Sequence, residues 1–133
     1  LMAARHLITG EKGERRAERY LRDLGYLILA RNWREKQLEL DLVAKDGDTI
    51  VFVEVKTRHV TSLGRAGESV PPAKRAKLCR AASAYLSRTD QWEHPCRFDV
   101  VAVEVDQTGQ AAIRLTKDAF GFDQPGAPGW QPF

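Results

Sequence analysis

The sequence predicts an α/β domain in which a mixed sheet is flanked by helices, with the element order αβββαββ. Three observations support this prediction: an apolar stripe of helical period near the start, two strand-like runs joined by Asp-Gly, and a basic helix followed by a valine-rich strand. Strands interleaved with helical segments are typical of a sheet covered by helices. The 133 residues, 43% of them hydrophobic and 29% charged, fit one globular domain with its own core.

The first helix is predicted over Gly10–Leu24. Its apolar residues recur at the i, i+3, i+4 and i+7 spacing of one helical face; they are Ala17, Tyr20, Leu21 and Leu24. Gly25 is expected to end this helix as a C′ glycine, and residues 26–34 form the first predicted strand. Residues 1–9 are an N-terminal segment, in which Leu1, before the methionine, is interpreted as a remnant of cloning.

A β-hairpin is predicted over residues 38–58. The run LELDLVA, at 38–44, alternates strictly, so one face is expected to carry Leu38, Leu40 and Leu42, and the other Glu39, Asp41 and Val43. KDGD, at 45–48, contains the Asp-Gly signal of a tight turn. The second arm contains VFVEVKTR, and alternate residues of a strand share a face; one face holds Ile50, Phe52, Glu54, Lys56 and Arg58.

A basic amphipathic helix is predicted over residues 73–88, entered through two prolines. Its apolar arc consists of Leu78, Ala82, Tyr85 and Leu86. FDVVAVEV, at 98–105, is predicted to be a central strand because it is rich in valine, and residues 111–117 form the last strand. Residues 118–133 are rich in Gly and Pro and are predicted to be a C-terminal tail.

Composition and spacing argue against several classes of protein. No apolar run approaches the roughly 18 residues that span a bilayer, and the first residues lack the apolar core of a secretion signal, so we expect a cytoplasmic protein without a membrane partner. The two cysteines and three histidines show no metal-ligand spacing and no C-x-x-C pair, and no organic cofactor is expected. A net charge of +3 is too small to establish a polyanionic partner by itself.

Glu54 and Lys56 project from one face of an otherwise apolar strand, and Asp41 lies on the facing arm of the hairpin. If the register sets Asp41 beside Glu54, two carboxylates and one ammonium group converge. Carboxylates held close raise each other's pKa, and a divalent cation such as Mg²⁺ relieves their repulsion. The pattern therefore favours a metal site in which Lys56 orients a water. The alternative is an exposed Glu–Lys pair worth under about 1 kcal/mol.

Two further acids and the basic helix each have two interpretations. Glu14, at the edge of the first helix's apolar stripe, is either part of the site or a first-turn acid favoured by the helix dipole. Asp99, inside an apolar strand, is either a hydrogen-bonded structural acid or an outer member of the site. The basic face of residues 73–88 is either a solvated surface or, if it lies beside the carboxylates, a phosphate contact made by Lys74, Lys77 and Arg80.

The chain resembles a known family through a succession of motifs. It contains, in order, G-x-x-G-E-x-x-A-x-x-Y-L-x-x-x-G-Y, E-L-D-L-V-A-x-D-G, V-F-V-E-V-K-T-R, L-G-R-A-G-E-S-V and R-F-D-V-V-A-V. This succession resembles the YraN family of small bacterial proteins over residues 10–117. That family is similar to archaeal Holliday-junction resolvases and to the PD-(D/E)xK nucleases. The resemblance therefore implies a restriction-endonuclease-like core.

The resemblance also implies a metal-dependent endonuclease that hydrolyses phosphodiester bonds in DNA, with branched or otherwise unusual DNA as a candidate substrate. By position it implies Mg²⁺ or Mn²⁺ ligands at Asp41, Glu54 and Glu14, and assistance to the attacking water by Lys56. It further implies contacts with the scissile strand from Arg58 and Thr57. Glu68 and Asp99 match family positions to which no role is assigned.

Leu38 departs from the family pattern, which usually has glycine there, and glycine would ease a bend or a close backbone approach. Two rival functions remain at this point: a non-catalytic nucleic-acid-binding protein of the same fold, and an interaction protein whose charged strand is only a surface ladder. Because resolvase-like enzymes cut two strands symmetrically, a homodimer is also expected.

Overall fold

The computed structural model describes residues 10–61 and 70–122. The elements are α1 (Gly10–Asp23), β1 (Leu27–Glu35), β2 (Leu38–Asp46), β3 (Thr49–His59), α2 (Pro72–Thr89), β4 (Cys96–Val105) and β5 (Ala111–Phe120). This is the predicted α/β order αβββαββ, so the predicted fold class is confirmed. Strand β5 runs three residues beyond its predicted end at 117, and most of the predicted tail lies outside the described residues, as do residues 1–9 and Glu68.

The five strands form one mixed sheet in the order β1-β2-β3-β4-β5. Strands β3 and β4 are parallel, from the pair Ile50↔Cys96 to the pair His59↔Val105, and the other neighbours are antiparallel. The parallel pair requires a crossover, and α2 lies within that connection. The tight turn between β2 and β3 contains Gly47 with φ of 61°, as the Asp-Gly signal predicts. Leu38 begins β2 in a regular pair with Glu35, so the absent glycine leaves the strand intact.

The two faces of the sheet carry separate apolar clusters. The α2-side cluster includes Phe52 and Phe98 from the sheet and Leu78 and Tyr85 from α2. The α1-side cluster joins the helix to alternate strand residues; its members include Ala17, Leu21, Val51, Val53, Val101 and Val103. Each large side chain buried in this way contributes about 1.5–3 kcal/mol. Each helix is therefore held on its own face of the sheet.

Helix α1 ends one residue earlier than predicted, and Leu24 is not part of its buried stripe. Ala17 and Leu21 are fully buried, whereas Leu24 is 51% exposed. The N–H of Tyr26 donates to the carbonyl of Leu21 and the N–H of Gly25, at φ of 96°, donates to the carbonyl of residue 22. This Schellman closure turns the chain so that Tyr26, not Leu24, packs against Leu21.

The prediction that side chains alternate strictly between the two faces along β2 is wrong beyond Leu40. Leu40 packs in the α2-side cluster together with Val43, whereas Leu42 packs in the α1-side cluster. Asn32, which lies opposite Asp41 in the ladder between β1 and β2, has a left-handed φ of 50°. Such a residue interrupts the pleat, and asparagine tolerates the conformation better than most. The interruption changes the face to which β2 side chains point on either side of Asp41.

Asp99 is fully buried, and a hydrogen-bond network holds it in place. Its carboxylate accepts Nε of Arg97 at 2.9 Å, the N–H of Asp118 at 3.0 Å and the hydroxyl of Tyr26 at 3.3 Å. Nη2 of Arg97 also donates to Asp46 at 3.0 Å. The network joins β2, β4 and β5 to the start of β1, which supports the structural interpretation of Asp99.

Candidate active site

Asp41 and Glu54 meet where the backbone ladder between β2 and β3 ends. The described pairs run from Asp46↔Thr49 to Leu42↔Val53, and Asp41 and Glu54 are the next residues on the two strands. The carboxyl groups of Asp41 and Glu54 are hydrogen-bonded to each other. Oδ2 of Asp41 also accepts the N–H of Val55 at 2.8 Å. The strands therefore bring two acids, 13 positions apart in sequence, into contact.

Burial of the Glu54 side chain, which is only 13% exposed, is the main cause of its unusual acidity. Burial above all, together with the charge of Asp41 and the hydrogen bond to it, raises the pKa of Glu54 to about 7. A carboxyl group must carry a proton to donate a hydrogen bond to another carboxylate. The pair therefore holds one proton up to neutral pH, where ordinary carboxyl groups have lost theirs.

Two lysines lie near this acidic pair, and both lower the pKa of Glu54. Lys74, in the first turn of α2, has Nζ at 3.7 Å from Oε2 of Glu54. Lys56 lies two residues beyond Glu54 on the same face of β3. The first turn of α2 contains no acidic residue, so the local cations face Glu54 without a competing acid on that turn.

The donor set suits a hard divalent cation that keeps several of its waters. Mg²⁺ is commonly bound through one or two carboxylates together with substrate phosphates, and a cation would replace the proton that this pair shares. No group of three Asp, Glu, His or Cys side chains close enough to hold a metal ion occurs within residues 10–61 and 70–122. The residues that fit the cation are therefore Asp41 and Glu54.

Glu14 is not brought to this pair. It lines a cavity of about 530 Å³ between α1 and the first two strands, together with Asn32 and Leu42. Leu42 belongs to the α1-side cluster, whereas Glu54 faces Lys74 of α2 on the other side of the sheet. Within the described residues Glu14 forms no group of three possible metal ligands with Asp41 and Glu54, so its role as a ligand stays a prediction.

Thr57 also faces α1 rather than the acidic pair. Its Oγ1 is buried and has no hydrogen-bond partner in the described structure, and a Cβ built on Gly13 would lie 1.8 Å from it. Thr57 thus lies on the α1 side of the sheet, and its contact with a DNA strand stays a prediction. Arg58, by contrast, is exposed and lies beside Glu104 in the β3–β4 register. Glu104 itself is buried and pairs with Arg114 at 3.3 Å.

One of the predicted basic side chains of α2 lies at the acidic pair, and the other two lie on the surface. Lys77 and Arg80 are exposed on α2, while Ala82, Leu78, Tyr85 and Leu86 are buried as predicted. Only Lys74 is close enough to Glu54 to form an ion pair among the described residues of α2. Lys77 and Arg80 thus extend the exposed positive charge of α2 away from Lys74.

A set of arginines that no sequence motif indicated lines a groove between α1 and β1. They are Arg15, Arg19, Arg22, Arg31 and Arg34. Their residue type is visible in the sequence, but their convergence depends on how α1 crosses the edge strand. Both cysteines are free thiols, as expected, and burial raises the pKa of each to about 11. In the described part of the chain, no helix is long and apolar enough to cross a membrane.

Comparison with known proteins identifies a family without an established activity. A model of the uncharacterised protein family UPF0102 matches residues 13–103. A UPF0102 protein of Symbiobacterium thermophilum is 49% identical over 84% of this chain and 95% of its own length. One from Nitratidesulfovibrio vulgaris is 41% identical over 100% of both chains. One from Oleidesulfovibrio alaskensis is 50% identical over 76% of this chain, which spans about half of that relative's length.

Solved structures that are similar to this chain include the SfsA protein of Pyrococcus furiosus in complex with Ca²⁺, with a TM-score of 0.38 and 15% sequence identity. The match covers 79% of this chain and 61% of that chain.

Proposed function

The chain belongs to the uncharacterised protein family UPF0102, the YraN family, and we propose that it is a metal-dependent endonuclease that hydrolyses phosphodiester bonds in DNA. The observation that carries the proposal is the contact between Asp41 and Glu54, with the pKa of Glu54 raised to about 7. A buried acidic pair is costly unless a proton or a cation neutralises it. Strongly perturbed acids of this kind are concentrated at functional sites.

In the proposed mechanism Asp41 and Glu54 would hold Mg²⁺ or Mn²⁺. A cation held there would make a water more acidic and stabilise negative charge on a phosphoryl oxygen. The hydrogen bond from Val55 holds Asp41 in position. Lys56 orients the attacking water or donates to a phosphate oxygen from the same face of β3. Lys74, which pairs with Glu54 in the structure, exchanges this contact for a phosphate when DNA binds.

The basic surface beside the acidic pair supports DNA as the partner. Lys74, Lys77 and Arg80 lie along one exposed side of α2, and Arg58 is exposed at the end of β3. Such cations contact backbone phosphates without reading sequence. The proposed substrate is branched or otherwise unusual DNA, cut by a cytoplasmic homodimer because symmetrical cuts need two sites. A monomeric mass in solution with DNA bound would contradict the dimer.

The test is a cleavage assay with Mg²⁺ or Mn²⁺ on end-labelled duplex, nicked and four-way DNA. Asp41→Asn and Glu54→Gln are expected to lower the rate by about a hundredfold or more, because each removes a ligand charge. Asp48→Asn is the matched control, since it removes an exposed acid from the turn of the same hairpin. It is expected to retain activity.

Cleavage that survives in both Asp41→Asn and Glu54→Gln would contradict the proposed site. The alternative function is a non-catalytic nucleic-acid-binding protein with a nuclease-like fold. It is favoured by one observation, that Glu14 does not complete a three-acid cluster in the described structure. Salt-dependent DNA binding without cleavage under any divalent metal would select that alternative.

A further inference from the structure

A groove lies between α1 and the edge strand β1, on the face of the sheet opposite Glu54. It consists of two cavities of about 530 and 450 Å³ whose linings share Arg15, Glu18 and Arg31. One end includes Asn32 and Leu42, the residues that adjoin Asp41 in the ladder and in the chain. One end of the groove therefore lies next to Asp41 along the chain, on the face of the sheet opposite Glu54, and the groove continues along α1.

Arginine dominates the part of the groove that is distant from the active site. The lining of this cavity contains four arginines and two acids, so its formal charge is +2; the residues are Arg15, Arg19, Arg22, Arg31, Glu18 and Asp23. The other cavity is lined by three arginines and three acids and has no net formal charge, so the positive charge of the groove lies in this distant part. The arginines of α1 between positions 15 and 22 extend over about 10 Å of helix. Three successive phosphate-to-phosphate steps of one DNA strand cover about that length, at roughly 3.4 Å per step along the duplex axis.

Glu18 occupies the centre of this arginine cluster. Its two carboxylate oxygens accept Nε and Nη2 of Arg31 at 2.7 and 2.6 Å, and Oε2 also accepts Nε of Arg22 at 3.0 Å. This two-pronged contact is the one by which arginine binds phosphate. The same arginines hold the pKa of Glu18 down to about 2. Glu18 therefore stays negatively charged, and able to bind Arg22 and Arg31, at any physiological pH.

We propose that the α1–β1 groove binds the backbone phosphates of a DNA arm that leaves the active site, and that Glu18 competes with those phosphates for Arg22 and Arg31. The inference rests on the proposed function, because that function supplies the nucleic acid. Arg22 and Arg31 have side chains that are 49% and 59% exposed, so a phosphate can reach them from solvent. When it does, Glu18 gives up part of its contact, which makes binding weaker and more easily reversed.

The groove also has a rival partner, an anionic membrane surface. The chain exposes Leu24 and Leu27 just beyond Asp23, and basic residues beside apolar ones suit a lipid interface. We favour DNA because the arginines line a concave groove between a helix and a strand, and a phosphate strand can enter such a groove whereas a bilayer surface cannot. Vesicle binding is an outcome of the test.

The test measures binding of fluorescent four-way and duplex DNA by anisotropy, in EDTA, between 50 and 200 mM salt. Arg19→Ala removes an arginine that lines the groove, and Arg16→Ala is the matched control, because Arg16 is exposed on the same helix but lines neither cavity. Arg19→Ala is expected to weaken binding about threefold or more and to reduce the salt slope by about 0.9. Arg16→Ala is expected to produce less than half of these changes.

Glu18→Gln tests the competition directly, since it keeps the shape of the side chain and removes its charge. It is expected to tighten DNA binding about threefold while it lowers the melting temperature, because two ion pairs are lost. A merely structural Glu18 would lower the melting temperature and leave affinity unchanged, and that result overturns the competition. Equal losses of DNA affinity in Arg16→Ala and Arg19→Ala would contradict the proposal that the α1–β1 groove binds DNA.

Two further measurements separate this inference from the proposed function. If the wild-type chain cleaves DNA but Arg16→Ala and Arg19→Ala bind DNA equally well, the groove is not the DNA-binding site. The proposed nuclease activity is then still supported. If no metal supports cleavage but Arg19→Ala, unlike Arg16→Ala, weakens DNA binding, the groove is supported as a DNA-binding site. The proposal of DNA hydrolysis is then contradicted. Binding to phosphatidylglycerol vesicles that Arg19→Ala abolishes, with DNA binding unchanged, assigns the groove to a lipid surface and overturns the proposal.

Discussion

Oδ2 of Asp41 accepts the backbone N–H of Val55 at 2.8 Å, at the point where the ladder between β2 and β3 ends. A side chain thus replaces a backbone partner in joining the two strands. The same carboxyl group is hydrogen-bonded to Glu54. Asp41 therefore has two separable roles, one in holding the strands together and one in forming the acidic pair.

Asp41→Ala and Asp41→Asn should separate these roles. Asp41→Ala removes the acceptor for the N–H of Val55 and is expected to cost about 1–2 kcal/mol of unfolding free energy, since a half-buried donor loses its partner. Asp41→Asn keeps an acceptor oxygen and is expected to cost less than half as much, although both variants lose the ligand charge. Urea unfolding measures the difference. Equal losses would show that the contact with Val55 contributes little to stability.

The stability of the native state should fall as pH rises towards neutrality because of Glu54. Its pKa is raised from 4.5 to about 7 in the folded chain, so between these values the folded state holds more of the proton than the unfolded state does. Stability is therefore lost as pH rises from about 4.5 to 7 and is constant above that. At about 1.4 kcal/mol per pKa unit, the loss is at most about 3.5 kcal/mol.

Glu54→Gln removes this ionisation, so its stability relative to the wild type should increase between pH 5 and pH 8. The measurement is urea unfolding of both proteins at several pH values, with Glu39→Gln as a control for an exposed acid on the neighbouring strand. Millimolar Mg²⁺ at pH 8 should stabilise the wild type and not Glu54→Gln, because a ligand that binds only the native state adds to its stability. A difference between wild type and Glu54→Gln that stays flat with pH would contradict the assignment.

Lys74 should tune the ionisation of Glu54, and Lys77 should not. Lys74 lies 3.7 Å from the carboxylate and lowers its pKa, whereas Lys77 is exposed one turn of helix away. Lys74→Met is expected to raise the pKa of Glu54 by less than about one unit, because a half-exposed ion pair is worth about 1 kcal/mol at most. A ¹³C NMR titration of the Glu54 carboxyl measures this shift. The same shift in Lys77→Met would point to a general field rather than to the pair.

The sequence could predict those parts of the fold and site that depend on nearby residues. The Asp-Gly turn sets the register of its own hairpin, so the approach of Asp41 to Glu54 follows from a short, regular segment. The buried positions Ala17 and Leu21 follow likewise from helical period. Leu24 was assigned to the same stripe because period alone does not show where a Schellman closure stops the helix.

The parts that could not be predicted depend on contacts between distant elements. The change of face at Leu42 coincides with a left-handed residue, Asn32, on the neighbouring strand, and nothing in β2 itself signals it. Glu14 was expected beside Glu54, but tertiary contacts decide the face of the sheet on which α1 packs. The hydrogen bonds between Glu18 and Arg31 join residues 13 positions apart. They depend on the same packing, since they form only when α1 crosses β1.

Gly13 should not tolerate alanine, because α1 contacts β3 through its backbone at this point. A Cβ at position 13 would lie 1.8 Å from Oγ1 of Thr57 and 3.1 Å from its Cβ. Alanine in a helix is worth about 1 kcal/mol more than glycine, yet overpacking commonly costs about 1–3 kcal/mol. We expect Gly13→Ala to destabilise the chain on balance, as measured by urea unfolding.

A double-mutant cycle with Thr57 identifies the cause of that loss. Thr57→Ala removes Oγ1 and should restore much of the stability of Gly13→Ala, whereas Thr57→Val keeps a heavy atom in its place and should not. Thr57→Val alone is expected to be neutral or stabilising, since Oγ1 is buried without a hydrogen-bond partner. If the loss is the same with alanine and valine at position 57, the clash is not its cause. Rescue by alanine alone would show that the closeness of α1 to β3, and with it the position of the α1–β1 groove, depends on the absence of a side chain at Gly13.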